Sequence, residues 1–392
     1  MKKILMMAAF AAAGAAFTAC SSDDTLATQQ TPEAPVVKGT PFKVSAFAEG
    51  TTRATRYNSD AWDGTNDETW VKEFKLYGQQ GENDPWMNNI VFSRTAYNAD
   101  WTPSDPTIAW PDDTNTKTSF YAITDGDNTL TGVTAWMSEV GKFTYNLPLD
   151  NGYVWNQPDG GYEFEQNEED YVDASKLADL MVATAEMKES DTESGVLPLS
   201  FTHALAGLTI KVKFQSTAAA QTSGGSTALM KAVKVCGLYT SGDYTFGGSP
   251  VWGNCSGDAI CYYKDLTSMA EADRTISAVT ETTSQEAKTI VKPGEWMVIP
   301  QTTEPWDLTT GAGNDNYAFP GTKAGRQMAY IAIWIETGGD EIPVYFPLDA
   351  TFTAAKNKVI TLEMSNSRDI IFDDDKDGFA DFTFLPAETD GN

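Results

Sequence analysis

The sequence predicts an all-β protein made of two antiparallel β-sandwich domains in tandem, with long loops. Three observations carry this. Short runs in which apolar and polar residues alternate recur from residue 42 to residue 364, each of strand length. Clusters of Gly, Asp, Ser and Pro separate them, as in SGDYTFGGSP (241–250) and ETGGDEIP (336–343). Helical spacing is nearly missing: only ASKLADLMVATAEM (174–187) suits a helical turn, and it runs on into a strand pattern. A length of 392 residues exceeds one ordinary core, so two domains are expected.

The N-terminus comes first in the chain and reads as a targeting segment. Lys2 and Lys3 precede the apolar run ILMMAAFAAAGAAFTA (4–19), which marks 1–19 as a signal peptide and is too short to span a bilayer comfortably. FTAC (17–20) resembles a bacterial lipobox, with Phe17 where Leu is more usual. The resemblance implies that Cys20 is lipidated and becomes the new N-terminus; a plain signal peptide beside an incidental Cys is the other reading. SSDD (21–24) resembles the acidic tag of Bacteroidota lipoproteins held on the outer face of the outer membrane, which implies a cell-surface location. Two or more acyl chains would anchor the chain stably there. Residues 20–40, polar and carrying several Pro and Thr, are expected to be a flexible tether.

From Pro41 the strand patterns begin. FKVSAFA (42–48), EFKLYG (73–78), SFYAIT (119–124) and KFTYNLPL (142–149) belong to a first domain, 41–193. The polar stretch KESDTESG (188–195) suggests the boundary. A second domain, 194–392, opens on LPLSFTHALAGLTIKVKF (197–214) and holds AVKVCGLY (232–239), WMVIP (296–300), YIAIWIE (330–336), IPVYFPL (342–348) and VITLEM (359–364). No fixed-period repeat is visible, which argues against a solenoid or a propeller.

Charge excludes some partners. Lys and Arg number 27 against 55 Asp and Glu, a net −28, so phosphate backbones and anionic lipid headgroups repel the chain. Nucleic acid is not an expected partner, and a membrane would be reached through the anchor. Besides Cys20 the chain has Cys236, Cys255 and Cys261. Cys255 and Cys261 flank SGDAI and are placed to close a small disulfide loop; Cys236, inside a strand pattern, is expected to be a buried thiol. No C-x-x-C pair indicates zinc or redox chemistry.

Catalytic motifs are not found. The single histidine, His203, rules out a multi-histidine metal triad, and there is neither a G-x-S-x-G elbow nor a phosphate-binding Gly-rich loop. His203 falls on the same strand face as Leu197, Leu199 and Phe201, so a buried imidazole hydrogen-bonded to backbone is expected. Glu163, Glu165, Glu168 and Glu169 read as a solvated acidic loop, because a glycosidase pair needs a geometry that sequence does not carry. The protein is not expected to be an enzyme.

The ordered landmarks resemble the fimbrillin family, fimbrial and pilus subunits of the Bacteroidota that begin as lipoproteins. They are FKVSAFAEGTTRATR (42–56), EFKLYG, Trp101 with WP (110–111) and SFYAI (119–123), ADLMVATA (178–185), LSFTHALAGLTIKV (199–212), VCGLYTSGDYTFGGSPVW (235–252) and WMVIPQ (296–301). The resemblance implies Greek-key, transthyretin-like sandwiches and a structural role in fimbriae and cell adhesion. It also implies proteolytic activation. A cut between Arg53 and Ala54, with Arg56 as a second candidate, would release the strand Phe42–Ala48, and the C-terminal strand of another fimbrial subunit would fill the groove. The tail 368–392, where Ile370, Phe372, Phe382 and Phe384 alternate with polar residues, is the candidate donor strand; pairing within its own domain as a final hairpin is the other reading.

Two further candidates stand beside this. Asp373, Asp375 and Asp377 with Gly378 and Asp381 match the start of a calcium loop, although Phe384 stands where an EF-hand would carry Glu. An ordinary acidic Asp-Gly turn is the competing reading, and no cofactor is otherwise expected. Trp62, Trp70, Trp86, Trp101 and Trp155 lie in Asn- and Asp-rich stretches and would suit stacking on sugars, which makes a monomeric glycan-binding lipoprotein the alternative function.

Overall fold

In the computed structural model the alternating runs are strands. It describes residues 40–48, 70–81, 85–96, 98–112, 115–126, 129–150, 171–214, 227–249, 251–277, 286–306, 322–323, 326–337, 340–364, 371–373 and 376–379. The first half contains β1 (Lys43–Ala48), β2 (Glu73–Gln80), β3 (Met87–Ser93), β4 (Thr102–Pro103), β5 (Thr118–Thr124), β6 (Val133–Thr134), β7 (Lys142–Asn146), β8 (Leu149–Asp150), β9 (Tyr171–Val172) and β10 (Met181–Met187). Next come β11 (Val196–His203), β12 (Ala206–Phe214), β13 (Thr227–Cys236), β14 (Ser241–Thr245), β15 (Trp252–Ser256), β16 (Cys261–Asp265), β17 (Thr275–Ser277) and β18 (Lys288–Val298). The last group is β19 (Gln301–Thr302), β20 (Thr322–Lys323), β21 (Arg326–Gln327), β22 (Tyr330–Thr337), β23 (Asp340–Pro347), β24 (Thr351–Phe352), β25 (Asn357–Met364), β26 (Ile371–Asp373) and β27 (Lys376–Phe379). Helix among the described residues is limited to short turns at Ala174–Lys176, Glu189–Asp191 and Glu271–Arg274.

The strands form mixed sheets. One runs in the order β1-β11-β10-β5-β2-β3-β4, and another β23-β22-β13-β16-β9-β8 with β17 also on β13. Smaller sheets are β15-β14-β7-β6 and β18-β12-β25. Most neighbours are antiparallel, as expected, but β1–β11, β12–β25 and β9–β16 run parallel. Those three pairings join segments far apart in the chain, and alternation within a strand carries no information about its partner's direction.

Sheet membership also departs from a division at 193/194. β10 and β11 lie on either side of it, yet they pair, with Met181 opposite His203 and Val182 opposite Thr202. From the other direction, β7 joins β14, and β9 joins β16. The chain changes sheet a few residues later, at Ala204 and Leu205 between β11 and β12. That accounts for the shift in apolar phase after His203.

Two apolar cores dominate. One gathers Phe42, Val44, Phe74, Phe92, Trp110, Phe120, Leu197, Leu199 and Phe201; the other includes Leu205, Leu208, Ile210, Val233, Trp296, Ile331 and Ile333. β5 and β10 serve both. Phe120, Ala122, Met181 and Ala183 point into the first, whereas Ile123 and Val182 point into the second. A strand buried on both faces reads as a near-continuous apolar run, as SFYAIT and LMVATA do.

The cysteine pairing is corrected. The disulfide joins Cys236 to Cys261, not Cys255 to Cys261, and Cys236 is therefore not a thiol. β13 and β16 are antiparallel with Val235 opposite Tyr262, so the next residues along the ladder, Cys236 and Cys261, face each other with Cα atoms 4.4 Å apart. That is the close separation of a non-hydrogen-bonded antiparallel pair, which suits a cross-strand disulfide. Cys255 lies on β15, in a different sheet.

Candidate functional site: the seat of the first strand

β1 is an alternating strand whose polar residues Lys43 and Ser45 are exposed while Phe42 and Val44 are buried. It lies parallel to β11, from Lys43 opposite Val196 to Ala48 opposite Phe201. Its start is held on the opposite side as well. Phe42 N–H donates to Ile108 O at 3.2 Å, Trp110 N–H donates to Thr40 O at 3.1 Å, and Pro41 bridges Ala109. β1 thus lies between β11 and the segment that follows β4, at the opposite end of the same sheet order.

An aromatic box receives the first apolar residue. The Phe42 ring lies 4.9 Å from Trp110, 5.5 Å from Trp86, 5.6 Å from Phe120 and 6.1 Å from Phe92, centroid to centroid. Trp110 Nε1–H donates to Gly195 O at 2.9 Å, which ties the box to the start of β11. Ser194 and Gly195 both have positive φ, and Val196 N–H bonds back to Glu193 O, the pattern of a type I′ turn. A Cβ at Gly195 would come within 3.1 Å of Thr40 Cγ2, so glycine also lets the turn approach the entry to β1.

His203 ends the buried face of β11. Its Nδ1 is 2.7 Å from Asp179 Oδ1, and both side chains are buried. Burial was expected, but the partner is a carboxylate, not backbone. Asp179 lies just before β10, whose Met181 is opposite His203 in the ladder. Tyr145 is buried nearby, and burial, followed by the charges of Asp125 and Asp179, pushes its phenol pKa well above the usual range. The contact ties the end of β11 to the residues that lead into β10.

The tryptophans proposed for sugar stacking are half-buried where the structure describes them, and each has a partner within the chain. Trp70 and Trp101 flank the Arg94 guanidinium at 5.4 and 4.7 Å, and Arg94 Nε donates to Val71 O at 2.8 Å. Burial pushes Arg94 down to about 10. Trp101 also packs edge-on against Phe74 at 4.8 Å, and Trp86 belongs to the Phe42 box. Trp62 and Trp155 lie outside the described residues, as do Cys20, Arg53, Ala54, Arg56 and Glu163, Glu165, Glu168 and Glu169.

Of the calcium candidates, Asp373 falls on β26, and Asp377 and Gly378 fall on β27, in an antiparallel pair with Asp373 opposite Lys376. Asp375 and Asp381 are outside the described residues, together with Ile370, Phe382 and Phe384 of the tail. Among the described residues no group of three or more His, Cys, Asp or Glu side chains is arranged to hold a metal ion.

Three residues that matter here gave little sequence signal. Trp110, Gly195 and Asp179 gain their roles from contacts across long stretches of chain; only the WP dipeptide and a Ser-Gly pair marked the first two.

A search of curated protein sequences gave no match. Among solved structures, a Bacteroides eggerthii protein assigned to cell adhesion is 14% identical with a TM-score of 0.46, covering 84% of this chain and 88% of its own. A Parabacteroides distasonis protein with the same assignment is 10% identical with a TM-score of 0.45, covering 89% and 96%. A third, from Bacteroides uniformis, is 15% identical with a TM-score of 0.38, covering 83% and 94%. The family model described as fimbrillin-like matches residues 52–374, most of the chain, and the chain belongs to the fimbrillin-like family.

Proposed function

We propose that the protein is a structural subunit of surface fimbriae that serves cell adhesion, exported as a lipoprotein through Cys20 and assembled by cleavage after Arg53 followed by strand exchange. The observation that carries the exchange step is the position of β1 between β11 and residues 108–110. Taking β1 away would leave a groove floored by Leu197, Leu199 and Phe201 and closed at one end by Trp86, Phe92, Trp110 and Phe120. An extended strand from a neighbouring subunit would fill it, gaining the backbone ladder of β11 and the pockets of Phe42 and Val44.

The energetics favour a covalent trigger. Burying Phe42 and Val44 is worth about 1.5–3 kcal/mol each, and each ladder hydrogen bond about 0.5–1.5 kcal/mol net. While the chain is intact, β1 rebinds at the high effective concentration its linker provides. Once the chain is cut after Arg53, that advantage is lost and dilution removes the strand. The tail 368–392 remains the candidate donor, and other subunits and the outer membrane are the partners. Trp70, Trp86 and Trp101 are half-buried and engaged with Arg94 or the Phe42 box, which leaves less of each ring for the glycan-binding alternative.

The N-terminus and mass of the protein taken from the surface of its native cells test the proposal. A start at Ala54 is the expected result and identifies a polymerising subunit. A start at acylated Cys20 with β1 retained would remove strand exchange and leave an anchored lipoprotein.

A further inference from the structure

We infer that the seat of β1 fits a strand of a different subunit better than it fits β1 itself, one with Ser or Thr where β1 has Phe47. The inference rests on the strand-exchange reading above and adds what the incoming strand must carry. Its first observation is an imperfect fit. Ser200 Oγ and Trp86 Nε1 are both buried without a hydrogen-bond partner, and both border β1. Ser200 is directly opposite Phe47 in the parallel ladder, and Trp86 packs edge-on against Phe42.

The second observation is Phe47 itself, a large apolar side chain left 45% exposed. Paired residues of a ladder share a face, so Phe47 stands beside Ser200 and offers it no acceptor or donor. A hydroxyl at that position would make the cross-strand bond that Ser200 lacks. It would also remove an exposed aromatic ring from an edge strand.

The apolar positions set the rest of the pattern. The Phe42 box calls for an aromatic residue, Val44 for an aliphatic one two places on, and half-buried Ala46 for a small one. The preferred occupant therefore reads aromatic-x-aliphatic-x-small, followed by Ser or Thr, running parallel to β11. The chain's own tail does not supply this. With Phe382 in the Phe42 position, Ala387 falls opposite Ser200; with Ile370 there, Asp374 falls at the half-buried Ala46 position; with Phe384 there, Thr389 falls opposite Ser200 but Pro386 and Glu388 take the Val44 and Ala46 positions. A different subunit, not a second copy, is the partner the seat selects.

The test uses the full chain after treatment with trypsin, and three labelled peptides: residues 42–48, the same peptide carrying Phe47→Thr, and residues 382–388. Peptide uptake is read by intact mass and by titration. The Phe47→Thr peptide is expected to half-saturate at a concentration about tenfold lower than the unaltered peptide, the effect of one recovered buried hydrogen bond. That advantage is expected to vanish in the Ser200→Ala chain. Equal binding of the two peptides, or an advantage that survives Ser200→Ala, overturns the inference while leaving strand exchange in place. Tightest binding by 382–388 overturns it in favour of a second copy. If no peptide enters the seat, strand exchange itself fails and the inference falls with it.

Discussion

Two tyrosines, both fully buried in the second core, show how one hydroxyl differs from another. Tyr262 Oη donates to Met297 O at 2.8 Å, whereas Tyr145 Oη has no partner. Tyr262→Phe is therefore expected to cost about 1–2 kcal/mol, by loss of a made bond that leaves a buried carbonyl short of a donor. Tyr145→Phe is expected to be neutral or stabilising, since it deletes a desolvated hydroxyl that gains nothing. Urea unfolding of the two variants checks the contrast. Titration gives a second expectation. Burial pushes the Tyr244 phenol up to about 12 and raises Tyr145 and Tyr262 as well. The folded state then holds these protons more tightly than the unfolded state does. Stability is fully present below pH 10 and falls as pH rises from about 10 towards 12, by roughly 2–3 kcal/mol for Tyr244 alone. Melting temperatures between pH 9 and 12 test this, and a flat profile would contradict it.

Individual strands were largely legible in the sequence, and their partners were not. KVSAFA, SFYAIT, LTIKVKF, AVKVC and YIAIWIE all lie on strands, because alternation is a local consequence of the pleat. Even the burial of His203 followed from its place after Leu197, Leu199 and Phe201. The parallel pairing of β1 with β11 joins residues more than a hundred positions apart, and no local pattern encodes it. For the same reason the disulfide was misassigned. Cys255 and Cys261 are near neighbours in the chain, but a bridge follows the ladder, and the ladder puts Cys236 opposite Cys261. The bridge spans a sequence separation of 25, so a Cys236→Ser, Cys261→Ser double variant is expected to lose about 3–4 kcal/mol by the chain-entropy estimate. Melting under reducing conditions checks that figure, with the Cys255→Ser variant expected to change little.

For the whole molecule, the interest lies in how the two cores are coupled. β5 and β10 contribute alternate residues to both, so neither core can lose these strands without exposing the other. One calorimetric transition is therefore expected for residues 37–392, which form one unit, in place of the two that independent tandem domains would give. Two separate transitions would show that the shared strands do not couple the cores. β1 stands apart from this arrangement. It contributes Phe42 and Val44 to the first core, and among the described residues its outer side is held at its start, by residues 108–110.

The single histidine has a practical consequence. One imidazole means one set of ring resonances in a spectrum of the intact chain, free of overlap. That ring closes the end of the strand that carries β1, and it touches a carboxylate just before the neighbouring strand. It is a natural reporter, needing no label at the seat, of whether the floor of the groove stays in place when its first occupant departs.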